Sequence, residues 1–333
     1  MLSVRFPALK DNFMRILFIL SGNRSNSEKG KGDLIKIAKH QGDSLIGMGY
    51  SVDYFFITGK GLRGYLGSIP KIRKKIKAGN YDIVHAHYSL SAIAASLAGR
   101  HRMVVSLMGS DTYSHPVMLL LIRLFCRVRW EVVIVKTELM RSRVRSRKAI
   151  VLPNGVDVEQ FHPVAKADAR RLLDLQGRKI IMFAADPSRP EKNFKLAREA
   201  FAMLDRKDAV LLPVFNKPKS QMPLYMNAAD VLLLTSLWEG SVNVVKEAMA
   251  CNLPVVSTDV GDVKFNTQGL QGYYVTSFDA AEIAERLGTA LDLEAEVRGE
   301  ERIRELGLDS GSVNLRLTEI YRMVKSNPGD TGE

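Results

Sequence analysis

The 333 residues carry 48 Lys+Arg against 36 Asp+Glu, a formal net charge of +12, and 46% of them are hydrophobic. That composition excludes a disordered or collagen-like chain, and the length exceeds the roughly 250–300 residues at which one core usually divides into two. The cysteines, Cys126 and Cys251, number two and lie far apart without metal-ligand spacing. This excludes a disulfide framework and predicts buried free thiols in a reducing compartment.

The charge is lopsided. Residues 1–163 hold 26 Lys+Arg against 11 Asp+Glu, a surplus of 15, and the remainder nets −3. Runs such as "KIRKK" (71–75) and "RSRVRSRK" (141–148) pattern the excess. Such a field attracts nucleic acid, anionic lipid or a phosphorylated substrate, or is simply a solvated face. No stretch reaches the roughly 18 uncharged apolar residues of a spanning helix. "PVMLLLIRLFCRVRW" (116–130) comes closest and is interrupted by Arg123, Arg127 and Arg129.

In chain order, "MLSVRFPALKDNFMRILFIL" superficially resembles a leader. Its apolar core is short and "SGNRSNSEKGKG" (21–32) offers no cleavage pattern, so a buried first strand is expected at 15–20, with Met14 an alternative start. A polar loop over 21–32 suits a ligand but lacks the G-x-G-x-x-G spacing of a dinucleotide site. A helix follows from Asp33, with Leu34, Ile37, Ala38, Leu45 and Met48 on one face and Gly49 as its stop. Then come strand 52–57, a basic helix around 72–76, strand 82–87, a small-residue helix at 91–98, strand 103–108, the arginine-rich apolar helix and strand 132–135. After "AIVLPNGVDVEQFHP" (149–163) the alternation restarts: strand 179–185, helix 194–203, strand 209–214, helix 224–229, strand 231–236, helix 244–250 and strand 254–258. Past Ala280 the chain reads as helical, ending in an amphipathic helix at 312–324 and a polar tail expected to be disordered. Repeated strand-then-helix units require parallel sheets, because the crossover helix returns the chain to start a parallel neighbour. The expectation is α/β, two doubly wound domains: 1–155, 156–310, and a terminal helix and tail at 311–333.

Ligands of such sheets sit beyond the carboxyl ends of the strands. "SLWEGSVNVVKEAMACNLPVVSTDVGD" (236–262) is one such handover from strand to helix. Gly240 and Ser241 let the backbone approach a ligand, and the amides of the first helical turn favour a phosphate. Glu239 before the helix and Glu247 within it would accept hydrogen bonds from sugar hydroxyls on either side of a diphosphate. The other reading of Glu247 is an exposed helix residue paired with a lysine. In "DPSRPEKN" (186–193), Arg189 and Lys192 are placed to converge on one phosphate, or lie in an ordinary solvated turn. His85 and His87, expected on opposite faces of the sheet, read as structural histidines, with His87 nearer the ligand end. Asp111, in "MGSD", caps the next helix or meets a substrate. No metal-ligand cluster and no G-x-x-x-x-G-K-[ST] loop is present.

These residues resemble the retaining, nucleotide-sugar-dependent glycosyltransferases of family 4, the group 1 glycosyl transferases. The resemblance rests on "VLPNGVDVEQFHP", "PEKN", the long segment "MPLYMNAADVLLLTSLWEGSVNVVKEAMACNLPVVSTDVGD" and the closing "EIYRMV". It implies the GT-B fold, two Rossmann-like domains facing a cleft, with the terminal helix returning to the first. It implies Glu247 on the ribose, Glu239 on the donor sugar, Gly240, Ser241, Val242 and Asn243 near the diphosphate or the sugar, and Arg189 and Lys192 stabilising the leaving group. His87 and Asp111 are then acceptor-side candidates. The family's phosphate-binding arginine lies five residues before the lysine, where this chain has Pro187, so Arg189 is a shifted substitute. Met108 stands where many members have a histidine. The implied reaction is transfer from a nucleotide diphosphate sugar to an acceptor hydroxyl, with retention and without metal or cofactor. A glycan or lipid-linked acceptor and an anionic membrane surface are the expected partners, in surface polysaccharide synthesis at the cytoplasmic face. Two alternatives stay open: a nucleotide-sugar epimerase on the same scaffold, and a basic nucleic-acid-binding protein, for which no reader motif is present.

Overall fold

The computed structural model describes residues 14–22, 33–59, 61–113 and 116–326. The leader-like start, most of the expected ligand loop at 21–32 and the polar tail lie outside the described residues. Contacts divide the chain into two compact units, one running to Leu152 and resuming at Asn314, the other spanning Pro153–Val313.

The first unit holds a parallel sheet of β1 (Arg15–Ser21), β2 (Ser51–Ile57), β3 (Ile83–His87), β4 (Met103–Ser106), β5 (Val132–Val135) and β6 (Ala149–Val151), in the order β2-β1-β3-β4-β5-β6. Residues 16–20 of β1 are all buried, as a strand covered by helices on both faces must be. Helix Gly61–Gly79 turns Ile72 and Ile76 into the core, four residues apart, and leaves Lys71, Lys74 and Lys77 in water. Helix Ser89–Leu97 packs Ala92, Ala94 and Ala95 against the sheet.

The second unit holds β7 (Lys179–Phe183), β8 (Ala209–Pro213), β9 (Val231–Leu234), β10 (Val255–Thr258) and β11 (Tyr273–Thr276), parallel in the order β11-β10-β9-β7-β8. Both orders share one logic. The second strand lies outside the first and the third on its other side, so the winding reverses between β1 and β3, and again between β7 and β9. At the foot of the second unit, Val156 pairs with Asp309: Val156 N donates to Leu308 O at 2.8 Å, and Ser310 N to Val156 O at 2.8 Å. The last helix, Ser310–Ser326, then carries the chain back, and its residues from Asn314 onward belong to the first unit.

Several elements differ from expectation. β6 and β11 were not read as strands, and the basic helix begins at Gly61 and continues through Pro70. His85 and His87 share a face, with ring centroids 4.2 Å apart in a stacked pair. Side chains alternate along a strand, so residues two apart point the same way. Of the expected apolar face of the first helix, Ala38 and Leu45 are buried, while Met48 lies past the helix end and is exposed. Cys126 and Cys251 are free and buried, and burial pushes their thiols up to about 11 and about 12.

Candidate active site

The switch point between β7 and β9 collects the acids and cations singled out above. Past β7, Asp186 accepts the Ser188 amide at 2.8 Å and the chain makes a single 3₁₀ turn, Pro190–Lys192. Asn193 takes a left-handed conformation (φ 51°), which starts helix Phe194–Leu204. Thr235, just past β9, donates its hydroxyl to the Lys192 and Asn193 carbonyls, both at 3.0 Å, so the two ligand loops are tied together. Leu237 N donates to Glu191 O at 2.9 Å, which adds a second tie.

On this frame Lys192 Nζ pairs with Glu239 Oε1, which also accepts the Ser236 hydroxyl at 2.9 Å. The two side chains are only 14% and 19% exposed. The electrostatic objection to an acid beside a phosphate site is therefore met locally, because Glu239 brings its own cation. Arg189 does not share that pair. Its guanidinium donates twice to Glu191 Oε1, at 2.8 and 2.6 Å. Burial works to raise the Glu191 carboxyl, and the Arg189 hydrogen bonds and the Lys192 charge outweigh it and hold it below the usual range. The two cations of this loop are thus engaged by different carboxylates rather than converging.

The loop from Gly240 leads into helix Asn243–Ala250. Its shape depends on Asp262, beyond β10, which accepts the Val242 amide and the Ser241 hydroxyl, each at 2.8 Å. Gly261 makes this reach possible: it sits at φ 61°, and a Cβ there would lie 2.3 Å from Gly240 O. Beneath the loop, the wholly buried Lys246 donates to Asn154 O and to Ser241 Oγ. Burial lowers its pKa, while Asp262 and Glu247 pull the other way. Glu247 lies one turn into the helix. It does pair with a lysine, Lys219 on the loop after β8, at 3.5 Å, but its side chain is 15% exposed and so is not the surface residue of the plainer reading.

Asp262, Lys246, Asn154 and Lys219 were missed by sequence reasoning. Asp262 could have been found, since it follows a glycine just past a strand's carboxyl end, as Glu239 precedes one. Lys246 reads as a surface charge, and nothing local marks it as buried.

His87 and Asp111 belong to the first unit. Asp111 is fully buried and accepts from Ser89 N at 2.8 Å and Met108 N at 2.6 Å. The helix it caps is therefore Ser89–Leu97, upstream, rather than the next one. His87 is 6% exposed, and burial, assisted by Lys136, lowers its pKa to about 3. Its Nε2 is buried with no hydrogen-bond partner. His85 is held by Tyr321 Oη at 2.6 Å and Ser106 Oγ at 2.8 Å.

Residues 38–160 match the family model described as Glycosyltransferase Family 4, and residues 214–292 match the one described as Glycosyl transferases group 1. The chain is 27% identical over 241 residues to the UDP-Gal:alpha-D-GlcNAc-diphosphoundecaprenol alpha-1,3-galactosyltransferase of Escherichia coli, covering 58% of this chain and 62% of that protein. It is 25% identical over 210 residues to TuaC, a glycosyltransferase of Bacillus subtilis described under teichuronic acid biosynthesis, covering 55% and 54%. The chain thus spans little more than half the length of these curated relatives. Among solved structures, the sucrose-phosphate synthase of Thermosynechococcus elongatus superposes with a TM-score of 0.79 at 19% identity, covering 93% of this chain and 99% of that one. Anabaena Alr3699/HepE in complex with UDP-glucose superposes with a TM-score of 0.74 at 16% identity, covering 93% and 100%. A match to the Glycosyltransferase Family 4 model thus lies mostly in the first unit and a match to the Glycosyl transferases group 1 model in the second, and the two parallel sheets with their helices have the GT-B fold of these glycosyltransferase neighbours.

Proposed function

We propose that the chain transfers a sugar from a nucleotide diphosphate sugar, of the uridine type, to an acceptor hydroxyl with retention of configuration. The observation that carries this reading is the Lys192–Glu239 pair at the β7/β9 switch point, with Glu247 one turn into the helix behind it. Structural neighbours in complex with UDP and UDP-glucose support the donor, and the Escherichia coli relative supports a lipid-linked acceptor. The acceptor belongs to surface polysaccharide synthesis, at the cytoplasmic face of an anionic membrane, where the basic first unit suits it.

In the reaction the bond from the anomeric carbon to the leaving phosphate breaks, and a bond to the acceptor oxygen forms on the same face. The acceptor proton passes to the departing phosphate oxygen. Positive charge develops on the sugar while negative charge gathers on the diphosphate. Arg189 and Lys192 stabilise the diphosphate together with the helix start, without a metal. Since Asp262 already holds the Val242 amide, the backbone contacts fall to Gly240, Ser241 and Asn243. Glu239 holds donor-sugar hydroxyls and Glu247 the ribose. His87 lies toward the acceptor, and Asp111 positions the Met108 loop beside it.

Calorimetric titration with UDP tests the site. Glu247→Ala and Lys192→Ala each remove a charged hydrogen-bonding partner, worth about 1.5–3 kcal/mol, so affinity should fall about tenfold to a hundredfold. Unchanged affinity in both variants would overturn the assignment. Sugar turnover that needs no acceptor would instead indicate the epimerase.

A further inference from the structure

The cations of the first unit gather at one end of its sheet. Arg100, Arg127, Arg129 and Lys148 line a cavity of about 200 Å³ together with His101 and Glu131. The segments that carry them lead into β4, β5 and β6, so the cavity lies at the amino-terminal ends of those strands, away from the edge where ligand loops arise. One carboxylate faces four exposed cations there. Glu131 is already engaged, accepting the Met103 amide at 2.5 Å. His101 Nε2, by contrast, is buried with no hydrogen-bond partner. The arrangement is built to attract an anion and is not used by the reaction described above.

An apolar stripe adjoins the cavity. Helix Pro116–Val128 buries Ile122 and Cys126 but exposes Val117, Leu120, Leu124 and Val128, each more than half accessible. Steps of three and four residues place these four in one line along the helix. Val128 also forms part of the cavity wall, so stripe and cations make one continuous face. A water-facing helix ordinarily turns such a line into a core. An apolar line rimmed by arginines is the pattern of a helix lying in a bilayer interface, with the cations at headgroup level.

We infer that this face seats the first unit on an anionic phospholipid bilayer, with the stripe in the acyl boundary and a lipid phosphate headgroup in the cavity. The inference deepens the membrane-side reading proposed above and rests on it for its biological sense, while its chemistry stands on the first unit alone.

Flotation with phosphatidylcholine vesicles, with and without phosphatidylglycerol, tests it on the full chain. The wild type should float only with the anionic vesicles. Arg100→Gln combined with Arg129→Gln should weaken that binding about twenty-five-fold, at roughly fivefold for each basic residue near the surface. Leu120→Asp combined with Leu124→Asp should abolish it. All four substitutions are at exposed positions, and wild-type circular dichroism and UDP affinity in both double variants would show that the fold and the donor site are intact. Equal binding to neutral vesicles, or variants that float like the wild type, would overturn the inference. So would saturable binding of inorganic phosphate without vesicle binding, or a self-associated chain that Leu120→Asp/Leu124→Asp makes monomeric while vesicles stay unbound. Failure of the wild type to bind UDP would strike the donor-site reading instead and leave the vesicle result to stand by itself.

Discussion

His87 and its stacked neighbour His85 are buried bases that the fold keeps neutral. Burial lowers both pKa values, His87 to about 3, against 6.5 in an unfolded chain. Depression of a histidine pKa means that the stability is fully present above about pH 6.5 and is lost as pH falls toward 3, since only the unfolded chain takes up the protons. The His87 ring then costs about 1.4 kcal/mol per pH unit, or about 2 kcal/mol between pH 7 and pH 5. Urea unfolding of the wild type and His87→Gln at both pH values isolates the contribution of one ring. The variant should lose about 2 kcal/mol less on acidification, and equal losses would show that His87 titrates normally in the native state. At this scale the candidate site was legible where residue type and strand end coincide, as for Glu239 and Lys192, which the structure pairs. Asp262 and Lys246 act by holding the Gly240 loop from behind, through contacts 20 and 5 residues distant in sequence, which local chemistry does not announce. The opposite-face expectation for the two histidines failed on the period of the strand itself.

Among elements, the last helix bears most on the first unit. Tyr321 is fully buried and hydrogen-bonded to His85, Asn314 Nδ2 donates to Ser44 Oγ at 2.7 Å, and Lys325 pairs with Asp82 at 2.8 Å. Tyr321→Ala should destabilise the first unit by about 3–5 kcal/mol through the cavity it leaves. Tyr321→Phe should cost about 1–3 kcal/mol, because His85 Nδ1 loses its partner in a dry site. Chemical denaturation of both variants checks the ranking, and a phenylalanine variant as unstable as the alanine one would contradict it. The long buried strands were legible because both faces are apolar. β6 and β11 are only partly buried and so lack the continuous buried run of the four-residue strands β4, β5, β9 and β10, and the basic helix extends well beyond 72–76, running through Pro70.

For the whole molecule, the charge asymmetry was plain from counting, but which face concentrates it was not, because Arg100, Arg129 and Lys148 come from separate stretches that only the sheet gathers. The division into units has its own test. The ends of the second unit are clamped to one another at Val156 and Asp309, and a Cβ on Gly155 would come within 2.7 Å of Ser310 Cα. A fragment of residues 153–313 should therefore fold alone and bind UDP, gaining about 2.7 kcal/mol of stability at a hundred times its Kd. A fragment of residues 14–152 should not fold stably, since it lacks Tyr321. Circular dichroism melts of the two fragments, with and without UDP, decide this. An unfolded 153–313 fragment would refute the independence of the second unit.

The returning helix also sets an order in time. Domains generally complete their folding as units while the chain is being synthesised. Here the residues that close the first unit, from Asn314 onward, leave the ribosome only after the whole of Pro153–Val313 has emerged. The half that is translated first is therefore finished last, and until then the seat of Tyr321 beside His85 stands open as a place where a nascent chain can be held by a chaperone or caught by a protease.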